Sequence, residues 1–125
     1  MNAYPGKTVL KSQVLDHYCK LAVETDYVDI RKVLLDVLKC MADEANKRFI
    51  SYAQRGTDPA VRRRALINLG LMKCQSAKDV VLQGLKDPSR EVRVAAAFCA
   101  GFYHDQEIMT ALKNFFAVHR FDELS

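Results

Sequence analysis

Apolar residues recur at helical spacing along most of the chain, and no stretch alternates apolar and polar residues as a half-buried strand does. Between Val61 and Gly70 an apolar side chain occurs at every third or fourth position. Asp58, just before this segment, is suited to cap a helix, and Pro59 occupies a position where a missing N–H costs nothing. We therefore predict helices throughout, one of which begins at Asp58 and is closed by Gly70 in a left-handed conformation.

The helical pattern is repeated. The stretch DPAVRRRALINLG (58–70) returns as DPSREVRVAAAFCAG (87–101), with Val61 and Val92 31 residues apart. A more diverged copy, DIRKVLLDVLKCM (29–41), occurs one period upstream. Periods of about 20 to 50 residues are typical of solenoids, because one unit cannot bury its apolar face alone. The chain is therefore predicted to stack helix pairs.

These observations predict a single all-α domain over residues 1–125 with about seven helices. A capping helix is expected at 8–23. Helix-pair repeats are expected at 26–56, 57–86 and 87–118.

The two clear copies resemble HEAT-like repeats, in particular the short bacterial and archaeal kind found in phycobilisome lyases. The resemblance implies a right-handed α-α superhelix, the HEAT-like solenoid. In that family the repeated arginine commonly pairs with aspartates of neighbouring units, which implies a structural role for it here. Arg63 and Arg64 are expected to remain available for solvent or a ligand. The repeat positions to which the resemblance gives structural roles are Asp58, Pro59, Arg62, Gly70, Asp87, Pro88, Arg93 and Gly101.

The resemblance also implies a concave surface lined by the second helix of each pair. A shift of 31 residues aligns Lys47 with Lys78 and Arg55 with Lys86, which predicts short columns of positive charge along that surface. Such a field attracts acidic peptides or phosphate backbones. The alternative is a solvated face that only keeps the protein soluble. The candidate binding residues are Lys47, Arg48, Arg55, Lys78, Lys86 and Lys113.

Charge and hydropathy constrain the partner only weakly. The chain has 19 Lys and Arg against 15 Asp and Glu, a formal charge of +4, which permits acidic proteins or nucleic acid as partners. The N-terminal residues lack a signal-peptide pattern, and no apolar run reaches the length of a membrane span. A cytoplasmic protein without membrane contact is expected.

No pattern typical of an active site or metal site is found. The histidines His17, His104 and His119 are far apart, and no His-Glu pair exists of the kind that HEAT-like deoxyhypusine hydroxylases use for iron. No HExxH, phosphate loop or nucleophile elbow occurs. We expect no enzyme, no metal and no cofactor, with a lyase-like or glycosylase-like activity as the alternative. The cysteines, predicted to be reduced and buried in helices, are Cys19, Cys40, Cys74 and Cys99.

The C-terminal segment is more apolar than one buried helix stripe requires, with Phe115, Phe116, Val118 and Phe121 in seven residues. Either the last residues fold back over this end, or it packs on a second copy or on a partner. The sequence thus favours a non-catalytic scaffold or adaptor that binds a protein or peptide. A nucleic-acid-binding module and an accessory lyase-like subunit are the alternatives.

Overall fold

Helices account for most of the backbone in the computed structural model, which describes residues 11–124 and the side chains of residues 11–118. No strand occurs in that range, which confirms the prediction of an all-α, HEAT-like repeat fold. None of the helices in this range combines the length and the apolar composition that a membrane span requires. The helices are α1 (Ser12–Glu24), α2 (Val28–Leu38), α3 (Ala42–Arg55), α4 (Pro59–Leu71), α5 (Lys78–Gly84), α6 (Arg90–Ala100) and α7 (Gln106–Leu124), with a 3-10 turn at Lys39–Met41.

The two Asp-Pro pairs behave differently at the helix starts. The Asp58 carboxylate accepts a hydrogen bond of 2.9 Å from the N–H two residues on, and Pro59 is the first residue of α4. Asp87 accepts an equivalent hydrogen bond of 2.9 Å, yet α6 begins only at Arg90. The repeat predicts the same helix start at Asp87 and Pro88, and this prediction is wrong, since α6 begins two residues after Pro88. The two residues inserted in this copy delay the helix start.

The helices form two layers. One layer contains α1, α4 and α6 side by side, the other contains α3, α5 and α7, and α2 packs on α1. The prediction of a cap at 8–23 followed by a helix pair at 26–56 would place α2 beside α4. Instead α1 occupies that place, and α2 is the added helix.

A side-chain hydrogen bond helps to explain why α1 lies against α4. The Nδ2 of the fully buried Asn68 on α4 donates to the carbonyl oxygen of Ala22 on α1 at 2.9 Å. The buried stripe of α1 is uncharged, whereas that of α2 includes Arg31. An apolar stripe fits the centre of a helix layer better than one that carries a guanidinium.

Buried side chains from both layers form one continuous core. Small residues such as Ala65 on α4 and Ala96 on α6 are fully buried, and they allow these two helices to approach closely. Burying one large apolar side chain contributes about 1.5–3 kcal/mol. The largest side chains with almost no exposed surface are Phe49, Leu15, Leu38, Leu66, Leu69 and Ile108.

Gly70 marks a close helix contact, not a helix end. Helix α4 continues through Leu71, and the one non-glycine residue with positive φ in the described range is Lys73, at 54°. A Cβ at Gly70 would lie 2.9 Å from the ring of Phe98 on α6. Gly101, which follows α6, has a right-handed φ of −62°. The prediction that Gly70 closes α4 in a left-handed conformation is wrong, since the residue lies inside the helix.

Gly70→Ala should destabilise the protein by about 1 kcal/mol, although alanine is ordinarily the better helix residue by a similar amount. The added methyl group would meet the Phe98 ring and lie 3.3 Å from the Cα of Cys99. Urea unfolding followed by circular dichroism measures the loss. In a Phe98→Ala background most of the loss should disappear. An unchanged loss there would mean that backbone conformation, not the ring, excludes alanine.

Candidate binding surfaces

The repeated arginine of α4 joins two successive units. Arg62 binds the Asp87 carboxylate through two parallel contacts, Nε to Oδ2 at 2.9 Å and Nη2 to Oδ1 at 3.1 Å. Its Nη1 also donates to the carbonyl oxygens of Gly56, at 2.8 Å, and Thr57, at 3.3 Å. The two side chains are only 16% and 12% exposed, so water competes little for this pair. Arg62 therefore holds the segment before α6 against the start of α4.

Arg93, one period later, repeats half of this arrangement. Its Nη1 donates to the carbonyl oxygens of Asp87, at 2.9 Å, and Pro88, at 3.1 Å. These two residues precede Arg93 by six and five positions, and Gly56 and Thr57 precede Arg62 by the same numbers. The position equivalent to Asp87 one period on is Val118, which has no carboxylate. Among the described residues, Arg93 therefore binds its own unit only.

The pKa of Asp87 is lower than usual. Burial is the largest single effect and acts to raise the pKa, but the hydrogen bonds from Arg62 and from the backbone of Ser89, together with the charges of Arg62 and Arg93, outweigh it. The carboxylate is thus held ionised by its partners. This pair is a structural link between units, and it leaves no free carboxylate for chemistry.

Arg63 and Arg64 are not free, contrary to expectation. The Nε of Arg64 donates to Oδ1 of Asp26 at 3.0 Å, its Nη2 contacts the same oxygen, and its Nη1 donates to the carbonyl oxygen of Val23 at 3.3 Å. The Nη2 of Arg63 lies 3.8 Å from the same Oδ1 of Asp26. Asp26 precedes α2 in the chain, so these contacts tie the α1–α2 connection to α4. Part of the arginine cluster is therefore engaged within the protein.

The six predicted concave cations do not form continuous positive columns. The Nζ of Lys47 lies 3.3 Å from Oε1 of Glu44. The Nε of Arg48 donates to the Asp16 carboxylate, and its Nη1 donates to the backbone oxygen of Glu44. Since these carboxylates lie beside the cations, the expected field is largely cancelled there.

Lys78 is also neutralised, because its Nζ lies 2.7 Å from Oε1 of Glu107 and 3.1 Å from Oδ2 of Asp105. Hydrogen bonds to Glu107 and then to Asp105 raise the pKa of Lys78. Arg55, Lys86 and Lys113 are exposed, and Lys86 alone of the six lines the groove described next.

An open groove of about 800 Å³ lies between α5 and α7. Its charged residues are Lys86 and Glu107, of opposite sign, and the rest of its lining is apolar or uncharged. The periodicity did not single out this groove, because it depends on how far α5 and α7 lie apart. The other lining residues are Leu82, Leu85, Gln106, Thr110, Ala111, Asn114, Phe115 and Val118.

The apolar C-terminal end is only partly covered. Phe115 is buried at 7% exposure, whereas Phe116 is 53% and Val118 70% exposed. The Phe115 and Phe116 rings meet edge to face with centroids 5.3 Å apart. Phe121 and His119 lie outside the described side chains. An exposed apolar surface of this kind is typical of an interaction site.

The described side chains include no cluster of three or more metal-ligand residues. His17 and His104 are exposed. Burial raises the pKa of the Cys19 thiol to about 11 and that of Cys99 to about 12, so neither forms a ready thiolate.

The prediction of four buried helical cysteines is wrong in two respects. Cys40 is exposed, since it lies in the 3-10 turn between α2 and α3. Cys74 is buried, but it lies in the loop between α4 and α5 rather than in a helix.

Two residues that the periodicity did not single out organise the loops at one end of the layers. Asp105 accepts hydrogen bonds from the N–H groups of Glu107, at 2.8 Å, and Ile108, at 3.1 Å, at the start of α7. The Tyr103 hydroxyl donates to the carbonyl oxygen of Cys74 at 2.7 Å and accepts from the N–H of Ala77 at 3.0 Å. An aspartate just before a helix start, as Asp105 is, is a pattern that can be recognised in the sequence. The contacts of Tyr103 depend on the tertiary structure.

Stacked helices in two layers, with one arginine–aspartate pair that joins successive units, define an all-helical repeat protein. Residues 46–120 match the family model for HEAT repeats, and the chain belongs to that family. HEAT repeats generally serve as protein-interaction scaffolds, and the family is typically non-enzymatic. Neither a curated protein nor a solved structure matches the chain.

Asp87→Asn should lower the free energy of unfolding by about 2 kcal/mol at neutral pH, because partly buried Arg62 loses its charged partner. The folded pKa of Asp87 is below its ordinary 3.8, so this stabilisation is present above pH 3.8 and is lost as the pH falls through the folded value. Urea titrations across acidic pH should therefore show the two proteins converging. The exposed Asp43→Asn control should stay within about 0.5 kcal/mol of the unaltered protein. A difference for Asp87→Asn that persists at the lowest pH would contradict this account.

Proposed function

We propose that this protein is a non-catalytic HEAT-repeat scaffold or adaptor that binds a protein or peptide in the groove between α5 and α7. The observation that carries the proposal is the lining of that groove, which is mainly apolar and has one charge of each sign, Lys86 and Glu107. Protein partners bury apolar side chains in such surfaces, and Lys86 would orient them, since Glu107 is paired with Lys78.

The size of the groove suits a short segment of a partner. About 800 Å³ is enough for several apolar side chains, within the roughly 300–1,000 Å³ of ordinary ligand pockets. An amphipathic helix that places residues i, i+3, i+4 and i+7 along the groove is the occupant that this geometry favours. Lys86 favours an acidic residue beside the apolar stripe of the partner, since the other charged lining residue, Glu107, already binds Lys78.

The alternative of a nucleic-acid-binding concave face has less support. Three of the six predicted cations, Lys47, Arg48 and Lys78, bind carboxylates of the protein itself. Phosphate backbones favour surfaces with an excess of unpaired positive charge. An accessory lyase-like role rests on the family resemblance alone.

Val118→Asp should abolish capture of the partner by the immobilised protein from native extract, because it introduces a charge at the apolar wall of the groove. The side chain is 70% exposed, so the fold should be unaffected. Val33→Asp on α2, where Val33 is 62% exposed, is the matched control and should retain the partner. Mass spectrometry of the captured proteins with each variant makes the comparison.

The salt dependence of the captured complex separates the two functions. An apolar interface should survive about 0.5 M salt and nuclease treatment, whereas phosphate contacts weaken steeply under the same conditions. Loss of the partner with nuclease, or equal loss with Val33→Asp and Val118→Asp, would contradict a protein complex in the α5–α7 groove.

We also propose that the exposed C-terminal end supports self-association, as an alternative use of the same region of α7. Met109 and Phe116, both on α7, are 56% and 53% exposed. Sedimentation velocity at micromolar concentration should show a dimer that Phe116→Ser weakens by about tenfold or more, since a central aromatic contact often contributes more than 1 kcal/mol. Val33→Ser should leave the dimer unchanged. A monomer at every concentration would exclude self-association.

A further inference from the structure

A buried arginine on α2 lacks the partners that such a residue normally has. Arg31 is 8% exposed, and its Nε is enclosed without a hydrogen-bond acceptor. Within the described part of the chain its guanidinium forms no hydrogen bond or ion pair. Since a charge removed from water is strongly unfavourable without a partner, this arginine needs an explanation beyond packing.

The carboxylate whose charge acts on Arg31 is already engaged. Asp26 binds Arg64 and lies 3.8 Å from Arg63. Burial is the main cause that lowers the pKa of Arg31, followed by the charges of Arg63 and Arg64, while Asp26 acts in the opposite direction. Asp26 is thus paired with two other guanidinium groups, and it gives Arg31 only a longer-range attraction.

The structural role of the repeated arginine does not explain Arg31. The 31-residue shift aligns it with Arg62, whose partner is the Asp87 carboxylate. Counted by the same 31 residues, the position of Asp87 is taken by Gly56, which has no side chain, and the nearby Asp58 is engaged with the N–H of Ala60 at the start of α4. Arg31 therefore has the positive charge of the repeat position, but it lacks the acidic partner that Arg62 has.

Arg31 lines an open pocket of about 290 Å³ between α2 and the C-terminal end of α4. Lys32 and Lys39 line the same pocket, and its one carboxylate, Asp36, lies 3.8 Å from Lys32 and 3.3 Å from Lys39. The charged lining therefore carries three cations and one anion. The remaining lining is apolar and consists of Val28, Leu35 and Leu71.

We propose that this pocket binds an oxyanion, a phosphate or carboxylate group carried by a ligand with a small apolar part. Arg31, the most buried cation of the pocket, would form the charge-assisted hydrogen bonds that it lacks within the protein. Lys32 and Lys39, with side chains 75% and 60% exposed, would add longer-range attraction. The apolar wall would contact the rest of the ligand. The site is separate from the α5–α7 groove and does not depend on the function proposed for it.

Thermal unfolding in different anions at constant ionic strength tests this site. With inorganic phosphate or succinate at about 50 mM, the melting temperature should rise by about 3–6 °C over that in chloride, because a ligand that binds only the folded state stabilises it. Arg31→Met should remove this rise. Arg55→Met, which removes an exposed arginine from the end of α3, should keep it.

The chloride buffer gives a second, independent readout. If the anion normally compensates Arg31, then Arg31→Met should be at least as stable as the unaltered protein in chloride, since it removes an unpartnered charge and retains an apolar side chain of similar length. If Arg31 were only a packing residue, Arg31→Met would lose the same stability in every buffer.

The pattern of responses identifies the source of the anion. A rise with phosphate alone assigns a phosphate group, a rise with succinate alone assigns a carboxylate, and a rise with both assigns an oxyanion site of either kind. No rise with either anion, or an equal rise in Arg31→Met, overturns the proposal. Should Arg31→Met fail to fold, the unaltered protein is titrated with phosphate and with succinate, and the Nε–H signal of Arg31 is followed by NMR. That signal is assigned as the one that is absent from the spectrum of Arg31→Lys. An unshifted signal in phosphate and succinate also overturns it.

Discussion

The fit of α4 between α1 and α6 is the constraint on which the other features depend. Gly70 allows the Phe98 ring to approach, Asn68 binds the backbone of α1, and Arg62 holds the segment before α6. A single helix pair could not bury both sides of α4, so each neighbour completes the other's core. The second layer, with α3, α5 and α7, is positioned by this one.

Electrostatic neutralisation within the fold limits how much unpaired charge the surface offers. Carboxylates from neighbouring helices or loops bind Arg48, Arg62, Arg64 and Lys78, so positive charge that looks available in the sequence is already engaged. Two of the remaining surfaces lie at opposite ends of the helix order. One is the mainly apolar groove beside α7, and the other is the cationic pocket that includes Arg31 on α2.

The two surfaces also relate differently to the repeat family. The matched range, 46–120, includes most of α3 and the helices through α7, so the groove is built from repeat helices. Helix α2 lies before that range and outside the two layers. Helix α2 lies at the edge of the array and packs mainly on α1, so its buried stripe can include a charged side chain such as Arg31.

The sequence by itself determined the helices, their repetition and the family, because helical periodicity, the N-cap at Asp58 and the Val-Arg register at Arg62 and Arg93 are local patterns. It also indicated an apolar C-terminal end. The tertiary structure alone decided that α1, not α2, lies beside α4, that Gly70 serves a helix contact, and that Lys78 is neutralised. These outcomes depend on distances between residues far apart in the chain, and a one-dimensional pattern contains no such distances.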